Sequence, residues 1–147
     1  MDDKQAVLRA NEDFYTALET LDPEVMKAVW AQRPTDICVH PGWDILRGPE
    51  VIHESWTAIF ANTGYMRFEP SDIDLEISGD MARVSCIENI FTVVEGHTIH
   101  SRVACINLFR RCDEFDGEWK MTVHHASPIA QGQTVVAIEP EDDEDVH

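Results

Sequence analysis

His40, Glu88 and the adjacent pair His124-His125 are the side chains whose types and surroundings could move a proton. His40 closes the β-branched run Ile37-Cys38-Val39 and is followed by Pro41-Gly42 and then Trp43. An imidazole with an ordinary pKa near ~6.5 can take or give a proton at neutral pH. A histidine at a strand end, beside a turn and an aromatic wall, is placed either at a pocket or half in solvent. His124 and His125 are neighbours in a strand, so they face opposite sides of the sheet. His125 shares its parity with Trp119, Met121, Val123 and Ser127, which predicts that His125 is the one that faces inward. There it would meet a ligand or bond to the backbone.

Glu88 stands mid-strand with Val84, Cys86 and Ile90 on its face. A carboxylate among apolar neighbours is costly unless paired. It reads as a general acid or base with a raised pKa or, more simply, as a strut to Arg102 or His125. Trp43 and Trp56 would serve as apolar pocket walls, although Trp56 is equally at home as plain core. His40, Glu88 and His125 are types that bind metals, but HxH, HExxH and close cysteine pairs are absent, so no metal is expected. Ser127 beside His125 is no triad, because i and i+2 on a strand align without converging and there is no GxSxG elbow. It is retained as a polar ligand contact. No P-loop or dinucleotide fingerprint occurs, and no cofactor is expected.

Composition narrows the class further. The chain has 147 residues, 44% of them hydrophobic, which suits one domain with one core. The net charge is −17, and a surface so negative repels phosphate backbones, which argues against nucleic-acid partners. No apolar run approaches the ~20 residues of a membrane span, and Met1-Asp2-Asp3-Lys4-Gln5 has no leader-like stretch. A cytoplasmic protein is expected. Glu139, Glu141, Asp142, Asp143, Glu144 and Asp145 make residues 131–147 an extension ending in an acidic, disordered tail. Cys38, Cys86 and Cys105 lie in apolar runs and read as reduced core thiols, and Cys112 has no CxxC partner either.

The elements that must position these groups follow from periodicity. Val7, Ala10, Phe14, Ala17, Leu18 and Leu21 form one helical stripe over residues 4–21. Asp22-Pro23 restarts a short helix carrying Val25, Met26, Val29 and Trp30, closed by Pro34. Residues 35–40 read as a strand. Pro49 opens a third helix with Val51, Ile52, Ser55, Trp56, Ile59 and Phe60, which ends at Asn62-Thr63-Gly64. From Tyr65 the period becomes two, with a phase slip at Pro70-Ser71-Asp72 that predicts a bulge. Long strands follow over residues 81–94, 97–111 and 118–127, the last stopped by Pro128, with a short edge strand over 133–138. This is an α+β domain over residues 1–130. Its antiparallel sheet is long enough to curl into a cone, with three N-terminal helices on the concave face.

That order resembles the nuclear transport factor 2-like fold, and particular words resemble its SnoaL-like, polyketide cyclase-like branch. They are Asn11-Glu12-Asp13-Phe14-Tyr15, Val39-His40-Pro41-Gly42-Trp43, Leu46-Arg47-Gly48, Ser55-Trp56, Asn107-Leu108-Phe109-Arg110 and His124-His125-Ala126-Ser127-Pro128. The resemblance implies a pocket inside the cone. In members similar to ketosteroid isomerase, a carboxylate before a proline acts as base, and His40 matches it. An acid on a later strand donates to an oxyanion, and Asn107 matches it; an amide can donate as well. A tyrosine on the first helix matches Phe14, with Tyr15 turned about 100° away. Phe14 cannot donate, so steroid isomerisation in detail is not implied. The family hosts many functions. Two readings stay open. One is a cofactor-free acid–base enzyme, an isomerase, cyclase, dehydratase or hydrolase, with His40, Asn107, His125 and Glu88 as its catalytic groups. Trp43, Trp56, Phe14, Tyr15 and Ser127 would line its site for a small, partly apolar molecule. The other is a non-catalytic binding or association domain. Both expect a homodimer through the outer face of the sheet.

Overall fold

In the computed structural model, which describes the backbone of residues 1–135 and the side chains of residues 1–130, helix α1 spans Asp3–Thr20. Its start is a capping box: the Asp2 carboxylate accepts from Gln5 N at 2.9 Å, and Gln5 Oε1 accepts from Asp2 N at 3.3 Å. The stripe it buries contains Val7, Asn11, Phe14, Tyr15, Ala17 and Leu18. Arg111 clamps the same end to the sheet, donating to both carboxylate oxygens of Asp3 at 3.0 Å and to Asp80 at 3.2 Å.

Helix α2 (Pro23–Lys27) starts as expected, with Asp22 accepting from Glu24 N at 2.9 Å. It stops before Val29 and Trp30, which the sequence pattern had placed on it. Val29 O accepts from Met121 N at 2.9 Å and Ala31 N donates to Met121 O at 2.8 Å, so this backbone pairs with the sheet instead. Strand β1 (Ile37–Val39) and the two-residue β2 (Leu46–Arg47) pair antiparallel. Helix α3 (Pro49–Ala61) buries Ile52, Ser55, Trp56 and Phe60.

A meander follows: β3 (Met66–Ser78), β4 (Met81–Val94), β5 (His97–Cys112) and, after a 3₁₀ turn at Asp113–Phe115, β6 (Glu118–Val135). The sheet order is β2-β1-β6-β5-β4-β3. All pairings are antiparallel except β1 with β6, which is parallel. The predicted slip in β3 is a register shift between Ser71 and Asp74, with Asp72 at φ 56°.

Strand β6 runs through Pro128 rather than stopping there. Beyond His125 its second edge has no strand beside it among the described residues, where β1 covers Val123, His124 and His125. A residue without an N–H costs no ladder bond on such an edge. Residues 133–135 are thus the end of β6, and residues 136–147, with the acidic tail, lie outside the described residues. The helices cover one face of the sheet. The core there gathers Val7, Phe14, Leu18, Met26, Trp30, Trp56, Phe60, Val84, Phe109 and Met121, and it includes the inward thiols. All four cysteines are reduced and buried.

Candidate functional site

The inner face of the sheet is apolar at its base and polar in its middle. On β4 the inward positions are Ala82, Val84, Cys86 and Glu88; on β5 they are Val103, Cys105, Asn107 and Phe109. Asn107 sits opposite His124 of β6, and Cys86 opposite Cys105. Helix α1 lays Asn11 and Tyr15 over this patch, and α3 lays Ser55 and Trp56 beside it. Tyr15, His40, Glu88, Asn107 and His124 are all under 5% exposed.

Of the two adjacent histidines, His124 is inside and His125 is exposed on the outer face, which reverses the sequence expectation. The cause is a register shift: Leu108 pairs with Val123 but Phe109 pairs with Met121, leaving Thr122 as an extra residue in β6. Trp119 and Met121 point inward on one side of this bulge, and Thr122, His124 and Ala126 point inward on the other. A bulge inverts the parity that an unbroken strand would carry. Ser127, on the parity of His125, is also exposed and cannot line the interior.

Hydrogen bonds settle the tautomers. The Ser55 hydroxyl donates to Ile52 O at 2.7 Å, so it accepts from His40 Nε2–H at 2.9 Å, leaving Nδ1 as the acceptor nitrogen. The amide nitrogen of Asn107 donates to Asn11 Oδ1 at 2.9 Å and to the Tyr15 hydroxyl oxygen at 3.3 Å. Its carbonyl oxygen therefore accepts from His124 Nδ1–H at 2.7 Å, and Nε2 of His124 is the acceptor. Both amide hydrogens of Asn107 are thus engaged by the protein. Asn107 orients His124 and Tyr15 here, rather than offering the free oxyanion donor that the resemblance implied.

Tyr15 donates to Glu88 Oε2 at 2.7 Å. This places Tyr15 in the site, as expected, but corrects the partner of Glu88, which is Tyr15 and not Arg102 or His125. Phe14 packs its ring 4.7 Å from that of His124 and 6.0 Å from that of Trp56. Trp56 stands 4.5 Å from the His40 ring, centroid to centroid, as a wall. Trp43 is 45% exposed and lays its ring edge-on to His40 at 4.7 Å, so it shields His40 from outside. The turn that folds it back closes through Trp43 N to His40 O at 2.9 Å, over Gly42 at φ 83°.

Burial sets the electrostatics. Desolvation holds His40 down to about 4. Burial, then the nearby His40 and His125, hold His124 down to about 3, so both rings are neutral at pH 7. Desolvation raises the Glu88 carboxyl, against the lowering effect of the Tyr15 bond. Burial and the Glu88 charge raise the Tyr15 phenol. The pattern is two neutral bases beside a carboxyl biased toward its protonated form, which is suited to proton transfer. Sequence reasoning missed Asn11 and Ser55 as members of the network, and Asp36, a fully buried carboxylate held by Thr122 Oγ1 at 2.9 Å. Asn11 was detectable, since it stands four residues after Val7 and three before Phe14, on the core stripe of α1.

Two of the clefts among the described residues lie outside the cone. One, of about 580 Å³, lies between the start of α1 and β6 beside Arg9, Arg111, Trp119 and Lys120. The other, of about 400 Å³, lies on the outer sheet face among Ser85, Ile87, Ala104, Ile106, His125 and Ser127.

A curved sheet lined by a polar cluster and covered by three helices defines an α+β cone of the nuclear transport factor 2-like kind. The SnoaL-like domain family matches residues 7–131, and the chain belongs to that family. Among solved structures, it is similar to a Streptomyces avermitilis protein of the NTF2-like family, provisionally assigned as a dehydratase. Their identity is 34% over 86% of this chain and 96% of that one, with a TM-score of 0.79. A Thiobacillus denitrificans protein, provisionally a calcium/calmodulin-dependent protein kinase type II association domain, is 27% identical over 82% of this chain and 92% of that one, with a TM-score of 0.73. A Novosphingobium aromaticivorans protein, provisionally a scytalone dehydratase, shares the fold at 14% identity, covering 92% of this chain and 89% of that one, with a TM-score of 0.75. No curated protein matches the chain.

Proposed function

We propose that this protein is a cofactor-free acid–base enzyme acting on a small, partly apolar molecule, with dehydration as the favoured reaction. The observation that carries this reading is the pair of buried neutral histidines. His40 and His124 lie with ring centroids 6.5 Å apart, each with one nitrogen committed as a donor and the other left as an acceptor. His40, next to the Trp43 turn, takes a proton from carbon beside a carbonyl and returns it to the departing hydroxyl, which leaves as water. Trp56 and Phe14 wall the molecule. Tyr15 and Glu88 supply the polar end, and Asn107 holds His124 in place. Swinging Trp43 outward admits the substrate. The dehydratase assignment of the 34% identical relative supports the choice of reaction.

The test begins with native mass spectrometry for a co-purified small molecule, then incubation in D₂O with that molecule or with a panel of small β-hydroxy carbonyl compounds. The expected result is protein-dependent deuterium uptake next to the carbonyl, lost in His40→Gln. An empty protein that neither binds nor exchanges any of the panel would sink the reading.

A second reading is favoured by the closure of the interior, since every member of the polar cluster is almost fully buried. It is a non-catalytic domain that assembles through its outer sheet face, where Ile106 is 47% exposed beside Ile87 and Ala104. A homodimer through that face is part of both readings.

A further inference from the structure

Cys86 of β4 and Cys105 of β5 stand directly opposite each other in an antiparallel ladder. Both point to the inner face, at 5% and 3% exposure, and both are reduced. Opposed residues of such a ladder have Cα atoms about 4.5–5.5 Å apart, inside the window of about 4.4–6.8 Å that disulfides occupy. Their Cβ atoms are about 4.5–5.5 Å apart, against about 3.5–4.5 Å in a disulfide, so the strands have to close by roughly an ångström. The other two thiols have no such neighbour. Cys38 lies on β1, which β6 separates from β5, and Cys112 stands opposite Glu118.

A second observation, independent of the register, brings the sulfur atoms themselves together. The Tyr15 hydroxyl oxygen lies 3.5 Å from Cys86 Sγ and 3.6 Å from Cys105 Sγ, so one atom touches both. The two thiols are also unequal. A hydrogen bond from Cys105 draws the Cys86 thiol below its ordinary range, against the desolvation that would raise it. Cys105 is raised by the same contact and by burial. The thiolate is the nucleophile in sulfur oxidation, which makes Cys86 the attacking thiol and Cys105 the resolving one.

We infer that Cys86 and Cys105 are a redox-active pair that closes to a cross-strand disulfide with hydrogen peroxide and reopens with thiol reductants. The Cys86 sulfur attacks one peroxide oxygen, the O–O bond breaks, and the other oxygen leaves as water with the Cys86 proton. Cys105 then attacks the sulfenic acid: the S–S bond forms, the S–O bond breaks, and the hydroxyl leaves as a second water with the Cys105 proton. Two thiols lose two electrons, and one peroxide is reduced to two waters. Peroxide is little larger than water, so a brief opening of α1 over the sheet admits it. A pair whose Cβ atoms start this far apart closes a stretched bond, which thiols reduce readily. The pair uses none of the proton-carrying groups of the acid–base reading and stands without it. Its effect on that site does rest on that reading: the one hydrogen of reduced Cys105 serves Asn107 Oδ1, 3.2 Å away, whenever it does not serve Cys86, and the disulfide removes it from beside His124.

The experiment uses the full chain, reduced, desalted and treated with hydrogen peroxide in the folded state, then alkylated in denaturant and weighed intact. The expected result is that two of the four thiols escape alkylation and the chain loses two hydrogens. Trypsin cuts after Arg83, Arg102 and Arg110, so the bond should appear as a link between fragments 84–102 and 103–110. Dithiothreitol should restore all four thiols. Cys86→Ala and Cys105→Ala should each abolish the link. Cys112→Ala, whose thiol bonds Arg110 O away from the pair, should keep it, as should Cys38→Ala. Circular dichroism on each variant separates a lost link from lost folding. These readouts need no substrate, so their failure is distinct from failure of the acid–base reading. Four thiols that all survive peroxide, a link to Cys38 or Cys112, or Cys86 and Cys105 carried to sulfinic acid without a link would each overturn the pair. So would a link that forms only when peroxide is added to the unfolded chain.

Discussion

At the scale of single residues, the interior depends on groups that are satisfied only by one another. Tyr15 donates to Glu88 and accepts from Asn107, so Tyr15→Phe strips a buried carboxyl of its donor and an amide of its acceptor. The expected cost is about 1–3 kcal/mol, read from urea denaturation. The two histidines give the fold a pH dependence of definite sign. Each ring is held below its unfolded value near ~6.5, so the unfolded chain binds more protons between that value and the folded one. Their contribution is complete above pH ~6.5 and is lost as the pH falls toward about 4 for His40 and about 3 for His124. For His40 alone the shift corresponds to about 3 kcal/mol. A stability profile from pH 7.5 to about 4.5 should slope downward with acid, and His40→Gln should flatten part of that slope. A profile unchanged by the substitution would show that His40 titrates normally. His40, Glu88, Trp56 and Tyr15 were all legible in the sequence as chemistry-bearing groups. Which of His124 and His125 joined them was not, because that depends on a single extra residue opposite Leu108 and Phe109.

Among the elements, the helices announced themselves through their ends. Asp2 with Gln5, Asp22 with Pro23, and Gly48 with Pro49 mark the three starts, and each is a local signal that needs no distant partner. Gly48 precedes α3 at φ 91° and ψ 154°, a conformation that strains any side chain. Gly48→Ala should therefore lower stability by about 1–3 kcal/mol, although its Cβ would meet no neighbour, and should do so without altering the interior. A melting temperature equal to that of the parent would contradict the strained geometry. The end of α2 and the end of β6 were harder to see. Val29 and Trp30 continue a helical stripe, yet their backbone bonds to Met121. Pro128 looks like a stop, yet β6 passes through it because no described strand pairs with that edge there. Both outcomes rest on pairing with segments far away in the chain.

For the whole molecule, one sheet serves two purposes on its two faces. The helix-covered side holds the polar cluster inside an apolar shell, and the other side shows Ile106, Ile87 and Ala104 around His125 and Ser127. Ile106→Asp is expected to turn a dimer into a monomer by light scattering, with thermal stability otherwise near that of the parent. A dimer that persists would locate the interface elsewhere. Phe14→Ala, in contrast, empties the centre under α1, and a cost of about 3–5 kcal/mol is expected from calorimetry. Among the described residues no helix is long and apolar enough to cross a membrane.

The sequence by itself determined the α+β class, the helix starts, the four-strand meander, the bulge in β3 and the family, because these follow from local periodicity, caps and short words. Only the tertiary structure decided that His124 enters the cluster, that His125 and Ser127 leave it, that Tyr15 partners Glu88, and that Asn107 holds its neighbours in place. Those outcomes turn on a register shift between strands and on hydrogen bonds between residues about 70 to 100 positions apart, such as Tyr15 with Glu88 and Asn11 with Asn107, which no local pattern encodes.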